Sequence, residues 1–390
     1  MFHIKTYNAI SNKGLDRFNR ELYQVSADCE QPDAVVLRSQ SLHDQDLPST
    51  VKAIARAGAG VNNVPVEACT KAGVVVFNTP GANANAVKEL VLAGLLLSSR
   101  DITGGMRYVQ SLTEMTDADA MGKLLEKEKK RFAGNELYGR TLGVVGLGAI
   151  GSMVAEMALA LGMDVVGFDP ALSVEAAWKL PSQVEKMDNL QALMARSDYI
   201  TLHVPAIAPT RHMINAEVLQ AVKAGAVLLN FARESIVDAD AVVASLDEGR
   251  LGMYVCDFPE PNLLQRPDVL AMPHIGASTA EAEENCAVMA VDQLKDFLES
   301  GNIKNSVNFP QINLPRSGGY RITFVNDNVS GVLGNVLSVF TQNNINVLDM
   351  MNKSRDDIAY NILDVEQVPS AEVIKAIGDV EHVIAIRVLN

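Results

Sequence analysis

Four cysteines, at positions 29, 69, 256 and 286 with no C-x-x-C pair, supply neither a disulfide framework nor a zinc site, and no metal is expected. No apolar run reaches the roughly 20 residues that a membrane helix needs. The first ten residues, MFHIKTYNAI, lack the apolar core of a signal peptide. A reduced, soluble, cytoplasmic protein is the expectation. Cations are scarce too: 33 Lys and Arg stand against 47 Asp and Glu, a net charge of −14. That balance argues against nucleic acid or an anionic membrane as the main partner. It also requires that any anionic substrate be caught by a local cluster of cations, against the global field.

What is present is apolar material, enough at 48% of 390 residues for two or three cores. From Thr141 to Asp169 the chain reads TLGVVGLGAIGSMVAEMALALGMDVVGFD. Thr141 to Val145 is strand-like, and Gly146, Gly148 and Gly151 follow at G-x-G-x-x-G spacing. Ile150, Met153, Val154, Met157, Ala158 and Leu161 then recur at helical intervals. A second β-rich run, Val165 to Phe168, ends on Asp169. Strand, glycine turn, helix, strand and acid together suit a dinucleotide. Gly146 permits the tight turn, Gly148 lets backbone approach a pyrophosphate, and Gly151 lets helix pack on strand. The helix N-terminus offers free N–H groups to the phosphates, while Asp169 accepts from ribose hydroxyls. No cation follows Asp169 until Lys179, so NAD is expected rather than NADP.

Around this stretch the organisation is α/β. Phe2 to Tyr7, Ala34 to Leu37 and Gly73 to Phe77 read as strands of a small unit without a nucleotide loop, and Ala86 to Leu97 as a long apolar helix. Residues 117–137 mix Lys123, Lys127, Lys129, Lys130 and Arg131 with acids, a solvated or subunit-contacting arm. After Asp169 the strands Tyr199 to Val204, Ala226 to Asn230 and Met253 to Cys256 alternate with helical patterns, which implies a doubly wound parallel sheet. Gly301 to Gly319, rich in Gly, Pro, Asn and Ser, reads as a linker. Residues 320–390 then read as a compact unit of their own, β-α-β-β-α-β.

Three polar residues end or closely follow strands: Arg233 after AVLLNFA, Glu260 after MYVCD, and His274 in MPHIGAST. With a nicotinamide to accept the hydride, oxidation of a 2-hydroxy acid needs a cation to hold the carboxylate, an imidazole to exchange the hydroxyl proton and a carboxylate to orient that imidazole. Arg38 and Arg56 lie at apparent strand ends of the small unit, where two arginines can hold a phosphate and a carboxylate. Gly58 and Gly60 would let backbone N–H groups approach, and Ser39 is grouped with them.

The segments RAGAGVNNVPVEACTKAGVVVFNTPGANANAVKE, GLGAIG, LHVP, LLNFARESIVD, CDFPEP and MPHIGAST resemble the D-2-hydroxyacid dehydrogenases over nearly the whole chain. The resemblance implies a Rossmann NAD domain at 96–283 and a flavodoxin-like, discontinuous substrate domain at 1–95 plus 284–310. A linker at 301–319 and a ferredoxin-like ACT domain at 320–390 follow, the last carried by NDNVSGVLGNV and NNINVLDM. It implies His274 as general acid/base, Glu260 as its partner and Arg233 as the substrate arginine. NAD contacts then fall on Ala149, Ile150, Asp169, His203, Pro205, Phe231, Ala232, Arg233, Asp257, His274, Gly276 and Ala277, with Asp257 at the nicotinamide carboxamide. Glu234 departs from the pattern, standing where the family has glycine.

Members of this family with an ACT tail oxidise 3-phosphoglycerate at the head of serine biosynthesis. The same substrate is therefore expected here, in a homodimer or homotetramer. Other openings are reduction of hydroxypyruvate, glyoxylate or 2-oxoglutarate, and a non-catalytic NAD-sensing scaffold. In the tail, Asn326, Asn328 and Asn346 carry amides able to hold an amino-acid effector, L-serine.

Overall fold

The computed structural model describes residues 1–389, apart from the side chain of Glu175. The chain divides into two compact units, Ala84–Ser278 and a second made of Met1–Asn83 with residues from Thr279 onward. The first boundary thus falls ahead of the long apolar helix rather than behind residue 95. The reason is packing: that helix, Ala84–Ser99, lies on the helix Ala149–Ala160.

The discontinuous unit begins with five parallel strands, β1 (Phe2–Thr6), β2 (Tyr23–Ser26), β3 (Ala34–Leu37), β4 (Ala53–Arg56) and β5 (Val75–Phe77), in the order β2-β1-β3-β4-β5. Strands β3 and β5 are buried at every residue, as expected of a sheet covered on both faces. One cover is the helix Ala280–Ser300, capped by Thr279 and stopped by Gly301 at φ +74°. Its buried residues Cys286, Ala290, Val291, Leu294 and Phe297 share a core with Val36, Ala55 and Phe77.

The contiguous unit holds seven parallel strands. These are β6 (Thr141–Val145), β7 (Asp164–Phe168), β8 (Glu185–Lys186), β9 (Tyr199–Leu202), β10 (Ala226–Asn230), β11 (Leu251–Cys256) and β12 (Val269–Ala271). Their order is β12-β11-β10-β9-β6-β7-β8, so the chain reverses its direction of travel between β6 and β9. In sheets of this kind ligands bind at that switch point, beyond the carboxyl ends of the strands. The helices Ile102–Ser111 and Ala118–Glu128 bury no residue, so the helical part of the 117–137 arm is solvated within this chain, while Leu137 at its end is buried in the core.

The last four strands, β13 (Tyr320–Asp327), β14 (Val347–Arg355), β15 (Ile358–Val365) and β16 (Val383–Leu389), form an antiparallel sheet ordered β14-β15-β13-β16. The helices Val332–Gln342 and Ala371–Gly378 cover one face through Val336, Phe340, Val373 and Ile377, against Ile322, Phe324, Leu363 and Val365. The other face does not stand alone. Val325, Ile358, Tyr360 and Ile362 share a core with Phe297, Phe309 and Ile312. The Tyr360 hydroxyl donates to the Gly301 carbonyl at 2.9 Å, and Arg387 sits 4.2 Å over the Phe297 ring. Fully buried Arg321 grips Asp364 through two bonds of 2.7 and 2.8 Å and donates to the carbonyls of Leu314 and Ser300.

Residues 301–319, which read as a linker, are therefore packed: Ile303, Phe309, Ile312 and Leu314 are all buried. Asn308 ties the stretch to β5, accepting from Val76 N–H and donating to the Val74 carbonyl. Its backbone is irregular, so its apolar residues show no period in the sequence. Among the described residues, no helix is long and apolar enough to cross a membrane, and all four cysteines are free thiols.

Candidate active site

In the contiguous unit the glycine loop joins β6 to its helix. Gly146 takes φ +88°, and a Cβ there would meet the His203 carbonyl oxygen at 2.6 Å. At Gly151 a Cβ would lie 1.9 Å from the Gly146 oxygen, so helix and turn touch through bare backbone. Gly148 differs, because a Cβ there meets no protein atom within 4 Å. It is the N-cap of the helix Ala149–Ala160 and supplies no side-chain bond. The first-turn N–H groups, at Ala149 and Ile150 among others, are left for a ligand, and a phosphate fits there. Asp169 accepts from Leu147 N–H at 2.9 Å through one oxygen and from Ala171 N–H at 2.9 Å through the other. It fixes the loop and keeps acceptor capacity for a ribose.

Past β9, His203 Nε2 meets the Thr201 hydroxyl at 2.9 Å, while Nδ1 is enclosed without a partner among the described residues. Burial pushes this ring down to about 3, so it is neutral at physiological pH. Pro205 is exposed two residues on. After β10, Phe231 and Ala232 are buried and Arg233 is half-buried. The backbone there is fixed by Asn230, whose amide donates to the Arg233 carbonyl and whose oxygen accepts from Ala232 N–H. Glu234 is exposed.

The loop after β12 is held from below. Buried Asp257 accepts from Ile275 N–H at 2.8 Å and Gly276 N–H at 2.7 Å, and its carbonyl accepts from His274 N–H at 2.9 Å. Both carboxylate oxygens already bind the loop, which makes Asp257 an anchor for the histidine. His274 adopts φ +56°, uncommon for histidine, and its ring is exposed. Phe258 touches both candidate groups: its ring centroid is 4.4 Å from that of His274 and 5.4 Å from the Arg233 guanidinium carbon. Arg233 and His274 thus each contact the same ring. Glu260 is not brought in, for among the described residues no hydrogen bond or ion pair joins it to His274. It instead begins the turn Pro261–Leu263. Gly276 is buried and Ala277 half-buried.

In the discontinuous unit, Arg56 Nε donates to the Arg38 carbonyl at 3.1 Å. Gly58, at φ +151°, leaves the space that Arg56 fills, since a Cβ would stand 1.7 Å from its Nη1. Gly60 is half-buried two residues on. The N–H groups of Arg38, Ser39 and Gln40 converge on one atom, Asn8 Oδ1, at 3.4, 3.0 and 2.8 Å. Arg38 also pairs with Glu283. In the C-terminal sheet, Asn326 is buried and spent on Asn361 and the Asp327 carbonyl. Asn328 donates to the Asp356 carbonyl. Asn346 is exposed at the other end of the sheet, beside the Val347–Val365 pair. One chain therefore does not bring the three asparagines together.

Residues 102–276 match the family model described as D-isomer specific 2-hydroxyacid dehydrogenase, NAD binding domain. The D-3-phosphoglycerate dehydrogenase of Haemophilus influenzae is 31% identical, across 85% of this chain and 79% of its own. This chain belongs to the D-isomer-specific 2-hydroxyacid dehydrogenase family. Its contiguous unit carries the family's NAD-binding domain. The D-3-phosphoglycerate dehydrogenase of Methanocaldococcus jannaschii is 34% identical over 82% of this chain, which spans only 59% of that relative's length. Among solved structures, NAD⁺-bound 3-phosphoglycerate dehydrogenase of Entamoeba histolytica superposes with a TM-score of 0.61. It is 25% identical, covering 79% of this chain and 98% of its own.

Asn8, Phe258 and Glu283 escaped the sequence reading. Phe258 had a signal, as the residue after Asp257 at a strand end. Glu283 had none, being one of several acids in the first turn of a helix.

Proposed function

We propose that the chain oxidises 3-phosphoglycerate to 3-phosphooxypyruvate with NAD. One observation carries the reading: the exposed His274 imidazole and the Arg233 guanidinium both contact the Phe258 ring, with His274 on a loop anchored by Asp257. Bound NAD supplies the hydride acceptor for carbon 2. His274 takes the hydroxyl proton, and Arg233 holds the carboxylate and the developing carbonyl. Asp169 holds the ribose and disfavours a 2′-phosphate. Arg38 and Arg56 hold the phosphate end. The neighbouring relatives named D-3-phosphoglycerate dehydrogenase support this substrate over an unphosphorylated 2-oxo acid.

The C-terminal sheet, with two helices on one face, suits an ACT-type module that binds an amino acid, L-serine. Asn328 and Asn346 lie about 25 Å apart along β13 at 3.3 Å per residue. A ligand touching both must bridge two chains, which accords with a homo-oligomer.

A panel of 3-phosphoglycerate and unphosphorylated 2-hydroxy acids, followed by NADH absorbance, tests the reaction. Arg56→Ala is expected to cost about 1.5–3 kcal/mol in kcat/KM on the phosphorylated substrate and far less on the others. Equal losses would make Arg56 a structural residue, and turnover confined to unphosphorylated acids would favour a 2-oxo acid reductase.

A further inference from the structure

The helix Ala280–Ser300 carries Glu281 and Glu283 in its first turn. Carboxylates there suit the positive end of the helix dipole, and this accounts for both equally. Glu283 does something more. Its Oε1 lies 2.6 Å from Arg38 Nη1, and both side chains are open to solvent, 43% and 37% exposed. Arg56 adjoins through its bond to the Arg38 carbonyl. The buried Cys286 thiol, one helical turn on from Glu283, lies within the field of Arg56, Arg38 and Glu283 together. The corner therefore holds two cations and one anion, in a chain already short of cations.

We propose that Glu283 is an internal counter-ion that the anionic end of the substrate must displace from Arg38, so that Glu283 sets the affinity for that end. This rests on the reading that Arg38 holds substrate. An incoming phosphate or carboxylate oxygen that uses the Nη1 position facing Glu283 must take or share the place of Glu283 Oε1. The displaced carboxylate then stands beside a like charge. Both costs are incurred on binding and persist to the transition state, so they appear in KM and leave kcat alone. Glutamine at 283 keeps the length and an acceptor oxygen but removes the charge.

The test uses the intact chain and the anionic 2-hydroxy acid of the panel that turns over best. Glu283→Gln is expected to lower its KM about three- to tenfold with kcat nearly unchanged, the range that an exposed ion pair plus a removed repulsion allows. Glu281→Gln, which removes the same charge from the same helical turn, is expected to leave KM in place. Arg38→Ala is expected to raise KM and, combined with Glu283→Gln, to abolish the gain. An unchanged or raised KM in Glu283→Gln, with KM raised in Arg38→Ala, would overturn the counter-ion while sparing the substrate reading. A Glu283→Gln variant that lowers only the melting temperature would overturn it as well. An Arg38→Ala variant with normal KM would instead bring down the substrate reading itself.

Discussion

Two histidines of the NAD-binding unit sit in opposite settings. His203 is half-buried with Nδ1 shut off from solvent, pushed down to about 3 by burial and bonded to Thr201, so it exchanges no proton at neutral pH. His274 is open, and three bonds from its loop to Asp257 hold a backbone conformation that by itself costs on the order of 1 kcal/mol. His274→Asn suits that left-handed backbone and removes the proton-exchanging ring. It is expected to cut kcat by about 10²–10⁴ with NADH affinity unchanged, read by steady-state kinetics and fluorescence titration. Near-normal turnover would remove His274 from the role. Strand-end positions made Arg233, Glu260 and His274 visible in the sequence. Side-chain direction was not visible: Pro261 draws Glu260 into a turn, and no spacing rule reveals that it leaves His274 without it.

The glycine loop was the most legible element, because each glycine answers a separate steric demand. The structure separates two of those demands. Gly148→Ala places a methyl where no protein atom lies within 4 Å. It is expected to leave the melting temperature unchanged while weakening NAD binding at least about tenfold, since only the cofactor's pyrophosphate would meet the methyl. Gly151→Ala drives a Cβ to 1.9 Å from the Gly146 oxygen and is expected to lower melting temperature and NAD affinity together. Thermal melts and calorimetric titration of both variants check this. Normal NAD binding by Gly148→Ala would place the pyrophosphate elsewhere. The short strands were harder to read. Glu185–Lys186 has two exposed, charged residues and owes its pairing to β7 alone. Residues 301–319 were misjudged in the same way, by composition, because burial without a period leaves no pattern.

At the scale of the whole molecule, the C-terminal sheet is a wall of the discontinuous unit as well as a module. Ending the chain after Ser317 would uncover Phe297, Phe309 and Ile312 and remove Arg321 and Arg387. Each large side chain so exposed costs roughly 1.5–3 kcal/mol, and a few of them rival the whole stability of a domain. The truncated chain is therefore expected to melt far lower and to aggregate on gel filtration. A soluble, active truncation with the parent melting temperature would show the sheet to be dispensable. Sensing is accordingly tested on the intact chain, where L-serine is expected to lower activity. Activity unchanged across the titration would leave the sheet a purely structural part.

The same unit is assembled from both ends of the chain, and that sets an order in time. Strands β1 to β5 leave the ribosome early, but the helix that covers Val36, Ala55 and Phe77 begins only at Ala280. At roughly 5–20 residues per second, the roughly 200 residues between take roughly 10–40 s to emerge. Throughout that interval the face carrying Val36, Ala55 and Phe77 lacks its main covering helix and has only the early segment around Leu15 and Phe18 against it. The NAD-binding unit, contiguous from Ala84 to Ser278, is the first able to close, although it is the second to be started.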